Sequence, residues 1–273
     1  MSHTERMPRF RTYLMCRPEH FTVEYAINPW MDTTVPVDAT LALKQWDLLR
    51  TTLIDLGHTV HLLDPVAGLP DMVYAANGAF SVDGRVYGAR FRYPQRTAEA
   101  TAHRAFYQGW DFIDPEHVNE GEGDFAYLPG AHGGLILAGY GFRTEPAAHA
   151  EAQEVLGRPV VSLRLVDPAF YHLDTALAPL DDHNVAYYPG AFSASAQRVL
   201  AQLFPDAVLA DRADAEAFGL NLVGDGRHVI LNTEAIAMGE KVRAAGYMPV
   251  HVELTELKRG GGSVKCAVAE LRP

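Results

Sequence analysis

The segment GAFSVDGRVYGA (78–89) carries the clearest structural pattern in the chain. Apolar residues stand on both sides of Asp83 and Gly84, a dipeptide that favours the tight turn of a β-hairpin. A helix-like stretch with Thr97 as its candidate N-cap comes next, and the short apolar run WDFI (110–113) follows that helix. The segment therefore predicts a unit made of a hairpin, a helix and a strand.

The same unit recurs along the chain. Further hairpins are predicted in GDFAYLPGAHGGLILAGY (123–140), LDTALAPLDDHNVAYY (173–188) and LNLVGDGRHVIL (220–231). The candidate N-caps of the helices that follow them are Thr144, Ser193 and Thr233. Short strands come next in VVSL (160–163), AVLA (207–210) and MPVHVEL (248–254). A fifth unit combines a helix at 37–56 and a strand at 58–63 with a hairpin between the chain ends, RTYLMC (11–16) and CAVAEL (266–271).

The spacing of these units predicts an α/β ring with pseudo-fivefold symmetry. Successive units open at intervals of 47, 48, 49 and 45 residues, at Asn77, Asp124, His172, Asn221 and Cys266. Pairing of the two termini would close the ring, and residues 1–273 would form a single domain. The alternative is a doubly wound sheet, which would alternate single strands with helices instead of hairpins with helices.

Composition limits the class of partner. The 273 residues carry a net charge of −11, which argues against nucleic acid or an anionic membrane as partner and leaves a small molecule. The most apolar run, GGLILAGYGF (133–142), is much shorter than the roughly 20 residues of a membrane-spanning helix. The N-terminus lacks the apolar core of a signal peptide, so we expect a cytoplasmic protein. A homo-oligomer is compatible with the sequence.

The ring would bring the opening residues of all five units to one axis. Cys266 follows three glycines in RGGGSVKC (259–266), where the backbone can approach a ligand closely. A free cysteine is more often a buried structural residue, and Cys16 in an apolar strand fits that description. Cys266, in contrast, would meet His172 and several acids, which together suit a cysteine-dependent hydrolase.

The polar candidates each have a structural alternative. A histidine is usually a surface or hydrogen-bonded structural residue, but His172 shares a strand face with Asp174. Three carboxylates, Glu120, Glu122 and Asp124, lie in EGEGD; such a run is more often a solvated turn, yet here it opens a hairpin and could hold a guanidinium ion. No HxxxH or HExxH motif is present, so we expect neither a metal nor another cofactor.

Together these segments resemble the guanidine-modifying, or pentein, superfamily, which includes arginine deiminase, dimethylarginine dimethylaminohydrolase and arginine dihydrolase. The resemblance covers nearly the whole chain. It lies in CRPEHFTVEYAINPWM (16–31), PDMVYAANGAF (70–80), ARFRYPQRTAE (89–99), NEGEGD (119–124), AGYGFRT (138–144), YHLDT (171–175), LNLVGDGR (220–227) and GGGSVKC (260–266). It implies a five-bladed β/α propeller, in agreement with the repeat.

The resemblance also implies roles for the site residues. Cys266 would be the nucleophile that forms a covalent thiouronium, and His172 would protonate the departing nitrogen and then activate water. Glu120 would hold the guanidinium and orient His172, with Glu122 as the competing choice for this role. Asp174 would hold the other guanidinium nitrogens. Two arginines, Arg96 and Arg143, would bind the substrate carboxylate, for which the arginine fork is suited.

Two departures bear on the subgroup. Asn77 replaces the aspartate of deiminases and dimethylarginine hydrolases and, with Asn28 in INPWM, resembles the arginine dihydrolase branch. Lys265 replaces the histidine that usually precedes the nucleophile. We therefore expect hydrolysis of arginine to ornithine, ammonia and carbon dioxide. The alternatives are hydrolysis of methylated arginine to citrulline and a methylamine, amidino transfer, and a non-catalytic propeller that binds a macromolecule.

Overall fold

A computed structural model describes residues 6–273 of the chain. It contains five three-stranded mixed sheets arranged as a five-bladed α/β propeller. The strands are β1 Thr12–Cys16, β2 Thr59–Leu63, β3 Ala79–Val82, β4 Arg85–Gly88, β5 Asp111–Ile113, β6 Phe125–Leu128, β7 Leu135–Tyr140, β8 Val160–Arg164, β9 Leu177–Pro179, β10 Val185–Tyr187, β11 Val208–Leu209, β12 Val223–Gly224, β13 His228–Asn232, β14 Met248–Val252 and β15 Ala269–Leu271. The helices are α1 Ala39–Asp55, α2 Glu99–Phe106, α3 Pro146–Leu156, α4 Ala194–Leu203, α5 Arg212–Glu216, α6 Ile236–Ala244 and α7 Thr255–Lys258.

Every sheet has the same topology. Two antiparallel strands form a hairpin, and a third strand, reached through a helix, lies parallel to the second. The β3–β4 hairpin turns at Asp83 (φ 50°) and Gly84 (φ 83°), the left-handed pair that a tight hairpin turn requires. The predicted fold class and repeat are thus confirmed.

The chain ends share one sheet. Strand β15 pairs antiparallel with β1, placing Thr12 opposite Leu271, and β1 pairs in parallel with β2. The order β15–β1–β2 therefore repeats the hairpin-plus-strand pattern of the other four sheets, as the sequence predicted.

The helix starts are confirmed only in part. Ser193 caps α4 by accepting a hydrogen bond from the backbone of Ala196, and Asp38 caps α1. The helices after Thr97, Thr144 and Thr233 begin one or two residues later than predicted, without these residues as caps. The Thr144 hydroxyl instead accepts a hydrogen bond from the backbone N–H of Glu120, so the candidate cap binds the turn that opens its own blade.

Short 3-10 turns position the functional side chains. Such turns precede the hairpins of three blades, at Ala75–Gly78, Gly121–Gly123 and Leu173–Thr175. All residues of these turns are buried, so the side chains meet inside the ring. Across residues 6–273, no helix is long and apolar enough to cross a membrane.

Candidate active site

Cys266 lies at the meeting point of three blades and is almost fully buried. Its Sγ is 3.2 Å from Oδ2 of Asp174 and 3.1 Å from Nδ2 of Asn221. The Asn221 side chain also accepts hydrogen bonds from the backbone N–H groups of Ser263 and Cys266. One amide therefore fixes both the glycine-rich turn and the sulfur that follows it.

The thiol and the carboxylate influence each other's protonation. Burial, and then the neighbouring charge of Asp174, raise the pKa of Cys266 well above its ordinary value. Burial also raises the pKa of Asp174, to about 6, although the positive charge of Lys265 opposes this shift. Near neutral pH the thiol is thus protonated and donates to an ionised Asp174. A cation placed beside this pair would favour the thiolate.

His172 belongs to a second buried group that includes Glu120 and Arg143. The Glu120 Oε2 atom lies 2.7 Å from Nε2 of His172 and 2.7 Å from Nη1 of Arg143. Burial alone would raise the pKa of Glu120, but Arg143 and His172 outweigh burial and hold the pKa well below its ordinary value. The carboxylate therefore stays ionised and orients the imidazole.

Arg143 has further contacts that fix its guanidinium. The group lies between the rings of Tyr93 and Tyr171, with its carbon 4.7 Å from each ring centre. It also donates to the carbonyl oxygen of Ile27, 2.9 Å away. Arg143 thus links the acid–histidine pair to the 17–36 loop.

Arg96 lies in a third group, which holds Asn77. Two guanidinium nitrogens contact both carboxylate oxygens of Glu99, at 2.9 and 2.7 Å, and Nη1 donates to Oδ1 of Asn77 at 2.8 Å. Since a guanidinium only donates, the Asn77 oxygen must face Arg96 and its NH₂ group must face away. This Nδ2 atom is buried and has no partner among the described residues.

Further orphaned polar atoms lie near these groups. Oδ1 of Asp174 and Oδ1 of Asp71 are buried without a hydrogen-bond partner among residues 6–273. The other oxygen of Asp71 accepts from the Tyr25 hydroxyl at 2.9 Å, and Arg96 lies 3.8 Å from it. Buried polar atoms normally have hydrogen-bond partners. Two carboxylate oxygens and the Asn77 NH₂ group lack partners among the described residues of this region, which indicates a ligand site.

A glycine allows two of the side chains to come together. A Cβ atom on Gly123 would lie 2.4 Å from Nδ2 of Asn77 and 3.2 Å from Nδ1 of His172. The first distance is far below a van der Waals contact. An alanine at this position would therefore displace the Asn77 amide.

Three predicted substrate contacts have other partners in the structure. Glu122 pairs with Lys265 and Arg272 instead of His172, so Glu120 has the position for which both were candidates. Asp124 accepts from the backbone N–H groups of Thr144 and Leu173. Asn28 bridges the backbone of Trp30 and Gly260 and anchors the 17–36 loop.

Asp71 lies in the site but is not singled out by the sequence pattern, because it precedes the opening residue of its unit, Asn77, by six residues. Its only sequence signal is PDMVYAANGAF, in which an acid stands within an apolar run. Among the described residues, no group of three or more His, Cys, Asp or Glu is arranged to hold a metal ion.

Known proteins are similar to this chain over nearly its whole length. No protein-family model matches the chain. It is 53% identical over 274 residues to N(G),N(G)-dimethylarginine dimethylaminohydrolase of Mycobacterium tuberculosis, covering 100% of this chain and 89% of that protein. The chain belongs to the guanidine-modifying (pentein) enzymes. This membership agrees with the resemblance noted in the sequence.

The chain is also similar to an arginine dihydrolase, both in sequence and in crystal structure. It is 35% identical to the bifunctional arginine dihydrolase/ornithine cyclodeaminase ArgZ of Synechocystis, over 93% of this chain but 36% of that protein. The crystal structure of the N-terminal domain of ArgZ, as a Cys-to-Ser variant bound to substrate, superposes with a TM-score of 0.91 at 33% identity. The superposition covers 96% of this chain and 98% of that domain.

Proposed function

We propose that this pentein enzyme hydrolyses the guanidino group of an arginine-derived amino acid through a covalent bond to Cys266. The observation that carries the proposal is the thiol 3.2 Å from the Asp174 carboxylate, in one buried site with the His172–Glu120 pair. A guanidinium bound at Asp174 would replace the S–H donor and bring a positive charge to the sulfur. Substrate binding itself thus generates the thiolate.

Two half-reactions follow from these groups. The thiolate attacks the guanidinium carbon, and the protonated His172 gives its proton to the departing amine, which leaves an S-alkyl thiouronium. Neutral His172 then takes a proton from water, and the water oxygen bonds to the same carbon. The C–S bond then breaks while the added hydroxyl gives its remaining proton to the sulfur, which releases a neutral ureido product and the Cys266 thiol. Glu120 stabilises the protonated imidazole in both steps.

The amino-acid end of the substrate would lie near Arg143. Its guanidinium is clamped between two tyrosines and keeps donors beyond those used by Glu120 and Ile27. Arg96, in contrast, uses its donors on Glu99, Asn77 and the Asp71 backbone, so we assign it to positioning Asn77. The unpaired oxygen of Asp71 suits a donor of the substrate, such as its α-ammonium group.

We propose dimethylarginine as the substrate, with citrulline and dimethylamine as products. The support is the 53% identity with the mycobacterial dimethylarginine dimethylaminohydrolase, compared with 35% for ArgZ. This differs from the sequence-based preference for arginine dihydrolysis, which rested on Asn77 and Asn28.

Arginine dihydrolysis stays as a second candidate because of how Asn77 is held. Arg96 forces the Asn77 NH₂ group toward the site, and a guanidinium, which only donates, gives this group nothing to bind. A ureido oxygen would accept from it. Asn77 therefore suits retention of a ureido group for a second attack, as a dihydrolase requires.

A product assay separates the two candidates. The purified protein is incubated with arginine, monomethylarginine and asymmetric dimethylarginine, and the amino-acid products are identified by mass spectrometry. Citrulline from dimethylarginine, with arginine consumed much more slowly, supports the first proposal. Ornithine from arginine supports the second, and Asn77→Asp should then shift the product toward citrulline. Consumption of none of the three refutes both.

A further inference from the structure

Asp174 belongs to a row of charged side chains that does not include Cys266. This row lines a cavity of about 50 Å³, which we call the axial cavity. The charged lining residues are Arg11, Glu122, Asp174, Lys265, Glu270 and Arg272. Three are acids and three are bases, so the buried charges balance.

Ion pairs connect neighbouring members of this row. Glu270 lies 2.7 Å from Arg11 and 2.8 Å from Arg272, and Arg272 in turn lies 2.5 Å from Oε1 of Glu122. Oε2 of Glu122 binds Nζ of Lys265 at 2.8 Å. Each base is thus paired with an acid, and Asp174 is the one acid of the row that lacks such an ion pair among the described residues.

Lys265 is fixed in place beside Asp174. Its ammonium is held by Glu122 and by the carbonyl oxygen of Val268 at 3.0 Å, and only 17% of its side chain is exposed. Three neighbours of Asp174, the Cys266 thiol, the Asn221 amide and the Tyr171 phenol, carry no positive charge. The negative charge of Glu122 also acts on Asp174 and raises its pKa, so it opposes Lys265. Lys265 therefore supplies the largest opposing electrostatic influence on Asp174 after burial.

We propose that Lys265 is a positioning residue that keeps Asp174 ionised in the free enzyme, so that the site is ready for a guanidinium near neutral pH. Glu122 holds the ammonium where it can act. The inference rests on the proposed function, in which Asp174 contacts the substrate cation. It also gives a role to the lysine by which this chain departs from the family pattern.

The electrostatics give the direction of the effect. Burial raises the pKa of Asp174 to about 6 even though Lys265 lowers it. Without this positive charge the pKa must rise further, so Asp174 would be protonated over more of the neutral range. A neutral carboxyl cannot form an ion pair with a guanidinium. As the pH falls, a variant without the lysine would therefore lose substrate capture at a higher pH than the wild type does.

The test compares pH profiles of kcat/KM from pH 5 to 9. Lys265→Met removes the charge and keeps much of the apolar stem, Lys265→Arg keeps the charge, and Lys258→Met is the matched control on an outer helix. We expect the acid limb of Lys265→Met to move up by about one pH unit from the wild-type position near pH 6, with about a tenfold loss near pH 5, about a twofold loss at pH 7 and almost none at pH 9. Lys265→Arg should return the acid limb of the kcat/KM profile to its wild-type position, and the profile of Lys258→Met should match that of the wild type.

The outcomes separate the inference from the proposed function. If Lys265→Met loses the same factor in kcat/KM at every pH, or if its acid limb does not move, the inference is overturned. Turnover by the wild type would still support the proposed function in that case. A wild type that turns over no guanidino amino acid overturns both. If the Met variant does not fold, judged by its thermal melting curve, Lys265→Gln is measured in its place with the same expected shift.

Discussion

The substitution Glu120→Gln probes the group that orients His172. The glutamine side chain has nearly the shape of glutamate but no charge, and one of its two terminal atoms is a donor. Glu120 Oε2 faces two donors, on His172 and Arg143, and Oε1 accepts from the Arg92 backbone at 3.3 Å. Whichever way the new amide turns, its NH₂ group faces a donor.

The geometry sets the size of the effect. At 2.7 Å the attraction between Glu120 and one full positive charge is about 6 kcal/mol for an effective dielectric of about 20. Breaking a buried ion pair from one side costs about 3–5 kcal/mol in practice, because a charge is left unpaired. We expect the variant to fold with roughly that loss of stability and to lose about 10²- to 10⁴-fold in kcat, the usual contribution of a general acid–base.

Glu122→Gln is the matched control. Glu122 lies two residues away, is equally buried and has two cationic partners, but it does not contact His172. Both variants should show a lower urea midpoint, whereas at the pH optimum Glu122→Gln should keep kcat within about tenfold of wild type. A Glu120→Gln variant with near wild-type kcat, or equal kcat losses in the two variants, would refute the role given to Glu120.

Further substitutions test other parts of the account. Arg143→Lys should lower kcat/KM about tenfold or more for an amino-acid substrate and less for agmatine, which lacks a carboxylate; equal losses would remove Arg143 from carboxylate binding. Gly123→Ala should lower kcat strongly with a small change in melting temperature, because its Cβ atom displaces the Asn77 amide; full activity would show that the amide has room to move. Burial, with a smaller contribution from Arg96, lowers the pKa of His103 from 6.5 to about 3. The unfolded chain therefore binds this proton first, and stability falls as pH drops from about 6.5 toward 3. His103→Phe should lessen the fall in urea midpoint between pH 7 and 5, and an equal fall in both proteins would contradict the assignment.

The ring could be predicted from sequence because its signals are local. The Asp83-Gly84 turn marks a hairpin by itself, and a nearly constant interval between units is enough to indicate a closed repeat. The convergence of His172, Asp174, Asn221 and Cys266 then follows from equivalent positions in the blades. The structure brings Asp174, Asn221 and Cys266 into contact, while His172 contacts Glu120.

The roles within EGEGD could not be predicted in the same way. Residues 121–123 form a 3-10 turn, in which successive side chains point about 120° apart. Glu120 therefore faces His172, while Glu122 faces the axial cavity and Asp124 accepts backbone N–H groups. The spacing of acids in the sequence does not reveal the turn type, and so it left Glu122 as a competing choice for the role assigned to Glu120.

The central claim is that Cys266 bonds to the guanidino carbon during turnover. The most direct measurement is mass spectrometry of enzyme quenched with acid while it turns over dimethylarginine or arginine, followed by peptide mapping. The account predicts a substrate-derived mass increase on the peptide that contains Cys266, absent in Cys266→Ser and still present in Cys16→Ser. Steady turnover without any adduct on Cys266, or with full activity in Cys266→Ser, would contradict it.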